Sequence, residues 1–298
     1  MEHVLIINNI SKNYGRIRAV RNLSLNIPEG SVFGILGPNG SGKTTTLGII
    51  LDVINATSGT YEWFGSYTKK ENRQKIGSTL ETPAFYPYLT GVQNLKIVAD
   101  TKNIRYDNIN KVLKEVGLDE RKDYKYKTYS LGMKQRLAVA SALLCDPQVM
   151  VLDEPTNGLD PQGIAEIRGV IKNTYRRGKT VILASHLLDE VQKVCTHFAV
   201  LNYGQLVYSG KVDDVTKGQQ VVEVASQDTD MLEKTLYKFP YLIKYNKEDD
   251  KIIVTLDPDK SVSDLSKFLI NNKIILTHLV VQKKSLEQQF LDILNESK

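Results

Sequence analysis

A mainly parallel α/β fold followed by a smaller α+β domain is what this 298-residue chain predicts. Three observations lead there. Apolar runs of strand length, residues 31–36, 149–152 and 180–184, alternate with segments of helical periodicity, as in sheets buried on both faces. A glycine-rich stretch falls directly between the first of these runs and a helix. Past about residue 215 the order becomes strand, helix, strand, strand, helix, strand, which is the ferredoxin-like βαββαβ pattern.

Taken in order, the chain alternates strand and turn from Val4 to Leu25, and Pro28-Glu29-Gly30 turns it into the run at 31–36. Residues 44–51 read as a helix, 57–64 as a turn and strand, and 91–118 as mostly helical with polar punctuation at 100–103. Helices follow at 161–177 and 187–195, on either side of the strand at 180–184. In the second part, strands are expected at 221–225, 241–245, 251–256 and 274–282, with helices at 230–239 and 263–271. A final helix opens with Ser285 and Gln288 at capping-box spacing and lines Leu286, Phe290, Ile293 and Leu294 along one face. Such a stripe reads as core or dimer contact rather than a ligand site.

Composition narrows the function classes. With 41% hydrophobic and 24% charged residues the chain is globular rather than disordered. No run of about 18 apolar residues occurs and no basic segment precedes the first apolar run, so the chain is expected to be neither secreted nor membrane-spanning. Its two cysteines, Cys145 and Cys195, cannot build a disulfide framework and fit a reducing compartment. The net charge of +5 divides unevenly. Residues 1–212 carry 27 basic and 19 acidic side chains, a balance of +8, and residues 213–298 carry 12 and 15, a balance of −3. The positive excess therefore belongs to the first domain alone.

Gly37-Pro38-Asn39-Gly40-Ser41-Gly42-Lys43-Thr44 matches G-x-x-x-x-G-K-[ST] between an expected strand and an expected helix. Its glycines let successive backbone N–H groups face a phosphate, and the helix N-terminus adds partial positive charge. Lys43 can reach the β- and γ-phosphates, the Thr44 hydroxyl can bind Mg²⁺, and Thr45 completes the set of nucleotide contacts. The apolar run at 149–152 ends in Asp153 and Glu154, the acidic partners such a loop needs. Asp153 is expected to hold Mg²⁺, and Glu154 to orient or deprotonate the attacking water.

Tyr129-Ser130-Leu131-Gly132-Met133, ahead of a helix running to Leu144, resembles the signature of the nucleotide-binding subunits of ATP-binding cassette (ABC) transporters. It keeps that signature's serine and second glycine, with Leu131 in place of the first glycine and Met133 in place of the glutamine. The resemblance covers residues 1 to about 215. It implies an ABC-type P-loop NTPase domain at 1–215 with a helical subdomain at about 84–145, and an accessory domain at 216–298. It further implies that Ser130 and Gly132 clasp the γ-phosphate bound by a second subunit and that Asp160, within Pro155-Thr156-Asn157-Gly158-Leu159-Asp160, lies at the subunit interface. His186 matches the histidine that contacts the γ-phosphate, and Tyr14 the aromatic that stacks on adenine. Glu81 stands where most cassettes have glutamine, a replacement typical of bacterial lantibiotic-protection transporters, and is expected near Mg²⁺. Gln93 nearby leaves open another alignment of that site.

The functional expectation is an ATPase using ATP and Mg²⁺, paired with a second ATP-binding subunit and docked on separate transmembrane permease subunits at the cytoplasmic face of the cell membrane. The expected cargo is an amphipathic or antimicrobial peptide; drugs, polysaccharide precursors and ions are the alternatives within the class. The basic and aromatic stretch Arg121-Lys122-Asp123-Tyr124-Lys125-Tyr126-Lys127-Thr128-Tyr129 could serve single-stranded nucleic acid, but it leads directly into the signature. It is read instead as a solvated or lipid-facing surface of the helical subdomain. A soluble cassette acting on nucleic acid or ribosomes is the contrasting class. It lacks support here, because neither a second cassette, a long coiled-coil insertion nor a zinc site is present.

Overall fold

The computed structural model describes residues 2–66, 69–80, 85–216, 221–248, 250–257 and 260–282. The chain divides into two compact units, 1–210 and 211–298. The first opens with two 12-residue strands, β1 (His3–Tyr14) and β2 (Ile17–Pro28). After them come β3 (Val32–Leu36), α1 (Lys43–Ile50), β4 (Ser58–Trp63), α2 (Lys69–Gln74) and β5 (Ile76–Thr79). The middle is helical, with α3 (Gly91–Lys102), α4 (Ile109–Glu115) and α5 (Leu131–Leu143). Then β6 (Val149–Asp153), α6 (Pro161–Arg176), β7 (Thr180–Ser185), α7 (Leu188–Val194), β8 (His197–Asn202) and β9 (Gln205–Lys211) complete the alternation.

Two sheets share one core. The larger has the order β5-β6-β7-β3-β8-β9, and its pairings from β5 through β8 are parallel. Every residue of β3, β6 and β7 is buried, which is why these strands read as unbroken apolar runs rather than alternating ones. The smaller sheet is antiparallel, with β1 between β2 and β4. Its inward residues Leu5, Ile7, Ile10, Leu23 and Ile27 pack with Leu47, Ile49 and Ile50 of α1 and with Ile35 and Val151 of the parallel sheet. The parallel description thus holds for the larger sheet only. Pairing of β1 with β4 closes a loop of more than 40 residues, and local periodicity carries no sign of it.

Parallel registry gathers three loops at one edge. Leu36 lies beside Ser185 and Asp153 beside Ala184, so β3, β6 and β7 all end at the same level. In open α/β sheets this carboxyl edge is where ligands bind. The helical segment is tied to the sheet through α5, whose Leu137 to Ala140, Ala142 and Leu143 are buried, and through Gly77 of β5. A methyl group on Gly77 would run into the Ala142 carbonyl.

The second unit contains α8 (Val212–Thr216), β10 (Val221–Ser226), α9 (Thr229–Leu236), β11 (Leu242–Glu248), β12 (Lys251–Leu256), α10 (Val262–Asn271) and β13 (Leu276–Gln282). Its sheet runs β11-β12-β10-β13 with antiparallel pairings throughout. Leu232, Leu236, Leu265 and Leu269 of the helices pack on Val222, Val224, Ile252, Val254 and Leu256 to form a separate core. The final helix expected at 285–294 lies outside the described residues. Among the described residues no helix is long and apolar enough to cross a membrane.

Candidate nucleotide site

The loop after β3 is shaped by residues that cannot carry a side chain. Gly42 has φ +100°, and a Cβ there would lie 2.5 Å from the Ala19 carbonyl oxygen of β2. A Cβ on Gly37 would strike the Leu201 carbonyl. Gly40 also has positive φ, at +79°. Helix α1 starts immediately beyond Gly42, so its free N–H groups open toward the loop. Lys43 is buried: its Nζ donates to the carbonyls of Gly37 at 2.8 Å and Pro38 at 3.2 Å, and stands 3.4 Å from Glu154 Oε1. Ser41 Oγ is buried with no hydrogen-bond partner among the described residues.

The acidic pair arrives on β6. Asp153, its last residue, is buried. Glu154 has left the strand with φ +46°, held by its own N–H donating to Ala184 O at 3.0 Å. That turn aims the two carboxylate oxygens at different partners, Oε1 toward Lys43 and Oε2 toward His186 Nδ1 at 2.8 Å. His186 follows β7 directly, so sheet registry alone brings it to the acid. Lys43, Glu154 and His186, expected from three separate motifs, therefore form one chain of contacts.

Above them lies a cleft of about 560 Å³. Asn39, Gly40, Gly42, Lys43, Thr44, Thr45 and Glu154 line it from the expected set. The remaining wall was not foreseen: Arg16 from the turn before β2, Ile17, Arg18, Ala19 and Arg21 from the start of β2, and Tyr203 from the turn between β8 and β9. One signal was available, since three of the chain's ten arginines fall within six residues beside Tyr14. Tyr14 itself does not line the cleft; Lys12 Nζ stands 5.0 Å from its ring centroid, and it pairs with Ile17 in the sheet.

Ser130, Gly132 and Asp160 are not brought into this cleft either. Ser130 caps α5, its Oγ accepting from Met133 N at 3.2 Å, and Asp160 caps α6, its Oδ1 accepting from Gly163 N at 2.9 Å. The two caps meet through Leu131, which is 57% exposed and close against Gly158, and through Leu159, beside Gly132. Glu81 lies outside the described residues. Of the basic and aromatic stretch at 121–129, Tyr126 and Tyr129 are buried with their rings tilted against each other, Phe85 meets Tyr126 edge-on, and Tyr129 Oη donates to Arg121 O. Two of its three aromatic residues are thus packing, and Tyr124 remains exposed.

The donors near α1 suit a hard cation. Thr44 and Asp153 offer oxygen only, and among the described residues no cluster of three or more His, Cys, Asp or Glu side chains forms a closed metal cage. Such oxygen donors beside a phosphate loop fit Mg²⁺, which keeps several waters and shares phosphate oxygens.

A glycine loop at the carboxyl edge of a parallel sheet, with Lys43, Glu154 and His186 in contact, defines a P-loop nucleotide-binding protein. The family model for the ABC transporter matches residues 20–157. The bacitracin transport ATP-binding protein BcrA of Enterococcus faecalis is 34% identical over 296 residues, 97% of this chain and 96% of that protein. The lantibiotic transport ATP-binding protein SrtF of Streptococcus pyogenes is 36% identical over 210 residues, 70% of this chain and 92% of that one. Among solved structures, the dimeric structure of a bacterial ABC transporter cassette superposes with a TM-score of 0.65 at 28% identity, covering 70% of this chain and 98% of the cassette. A dimeric post-hydrolysis state bound to ADP and Pi gives 0.64, also at 28% identity and with the same coverage. This chain belongs to the ATP-binding proteins of ABC transporters; it binds ATP and is an ATPase.

Proposed function

We propose that this ATPase powers a bacterial exporter of amphipathic or antimicrobial peptides, acting at the cytoplasmic face of the membrane through separate permease subunits. The observation that carries the reading is reach. The solved cassettes cover 70–80% of the chain, whereas the bacitracin transport protein covers 97%, so the likeness extends through the second unit as well.

In this reading Lys43 meets the β- and γ-phosphates, and Glu154 takes a proton from the water that attacks the γ-phosphorus. The bond to the leaving ADP oxygen then breaks, releasing phosphate. His186 fixes the carboxylate that does this, at 2.8 Å. Thr44 and Asp153, with Glu81, would hold Mg²⁺, which neutralises charge on the β- and γ-oxygens. Ser130 and Gly132 of a second ATP-binding subunit close over the γ-phosphate, with Asp160 at the interface, and Tyr14 supports the adenine. The permease docks near residues 81–88, where Tyr86 and Tyr88 are exposed.

Adding candidate peptides to the ATPase purified with its membrane partners tests the cargo. Stimulated ATP hydrolysis by bacitracin- or lantibiotic-like peptides supports it, and stimulation by unrelated drugs alone refutes it.

A further inference from the structure

We infer that Arg16, Arg18 and Arg21 form a cationic wall that binds the α- and β-phosphates of the nucleotide, so that they determine affinity and selectivity beyond the P-loop lysine. This rests on the cleft being the nucleotide site. All three line it together with the loop residues, and among the described residues none of the three makes an ion pair. Lys43, by contrast, shares its charge with Glu154 and two loop carbonyls. One partly neutralised lysine is a small counterweight to a polyphosphate.

The wall is fixed to the loop by backbone. The Ala19 carbonyl of β2 presses on Gly42, Arg21 N donates to Gly204 O at 2.7 Å, and Gly204 N donates in turn to Ser41 O at 3.1 Å. The arginines are thus held at a set distance from the phosphate loop although their side chains are exposed. Side-chain choice points the same way. Lysine outnumbers arginine 29 to 10 in this chain, yet these positions carry arginine alone. The guanidinium is a planar fork that grips phosphate oxygens in pairs, which an ammonium cannot do. Because Glu154 and His186 mark where the γ-phosphorus reacts, the wall on β2 serves the other two phosphates.

The test is equilibrium binding of ATP, ADP and adenosine, by competition with a fluorescent ATP analogue, over a range of salt concentrations. In the triple variant R16Q/R18Q/R21Q, ATP and ADP affinity should both fall about three- to thirtyfold, with adenosine unaffected. The salt dependence of ATP binding should flatten, because fewer charges meet the phosphates. Replacing all three by lysine should restore the salt dependence but only part of the affinity. Unchanged ATP and ADP affinity in the glutamine variant overturns the inference. So does loss confined to ATP, which would move the wall to the γ-phosphate, or equal loss for adenosine, which would make its role structural. Lys43→Ala separates the two levels: undiminished ATP binding there would remove the nucleotide from this cleft and sink both readings. Failure of the arginine variants alone leaves the cleft assignment standing.

Discussion

Glu154 Oε2 lies 2.8 Å from His186 Nδ1 while its other oxygen faces Lys43 Nζ at 3.4 Å. One carboxylate thereby joins the ends of β6 and β7 to the first residue of α1. Its backbone conformation, φ +46°, is uncommon for a residue with a side chain and is held by the Ala184 carbonyl. The acid is placed by the sheet rather than by a mobile loop.

Glu154→Gln keeps shape and removes basicity. ATP turnover should fall roughly 10²- to 10⁴-fold, the usual contribution of a positioned general base. Because Lys43 then no longer faces a carboxylate, ATP binding should persist or tighten, and an ATP-bound dimer should accumulate on gel filtration. Rapid turnover by this variant would remove Glu154 from the chemistry.

His186→Ala tests the support for that acid. A hydrogen bond to a charged group contributes about 1.5–3 kcal/mol, so turnover should drop about ten- to hundredfold, with ATP affinity falling less. A variant that hydrolyses normally would reduce the 2.8 Å contact to a surface pairing.

What could be read in advance follows the range of the physics involved. The phosphate loop and the strand ending in Asp153 and Glu154 are local patterns, and the structure places them side by side because β3 and β6 both flank β7. The β2 wall was not legible. Arg18 and Arg21 enter the cleft only because β2 is hydrogen-bonded to Gly204, more than 180 residues away, and Gly204 to Ser41. Tyr203, 75% exposed, reads as an ordinary turn residue until β8 and β9 are folded against the loop. The antiparallel sheet was equally hidden, since its strands are typed by local pattern but ordered by contacts between distant segments.

Gly77 joins the parallel sheet to the helix that carries Ser130. Any Cβ there meets the Ala142 carbonyl and lies 2.9 Å from Pro147 Cγ. Backbone cannot yield as a side chain does, so Gly77→Ala should destabilise the first unit by about 1–3 kcal/mol or more. Trp63, the chain's one tryptophan, is buried in that unit, and its fluorescence in urea follows the unit's unfolding. An unshifted midpoint would mean that β5 and α5 separate easily.

Cys195 supplies a pH-dependent test of the core. Its thiol is buried beneath α7 against Gly34, and burial, with Glu190 adding negative charge, pushes its pKa far above the ordinary 9.0. The native thiol therefore stays protonated while the unfolded one ionises. With the folded value raised, the stability this group contributes is complete below the unfolded pKa and is lost progressively as pH rises beyond it. Cys195→Ala removes the titration. Between pH 8 and 10 the stability of the wild-type protein relative to this variant should decline by about 1.4 kcal/mol. Urea melts at the two pH values, read from Trp63, measure the difference directly, because other titrations cancel in the comparison. A constant gap between the two proteins would mean that the thiol ionises as readily in the folded chain as in the unfolded one, and the packing of α7 on β3 would then be looser than the structure shows.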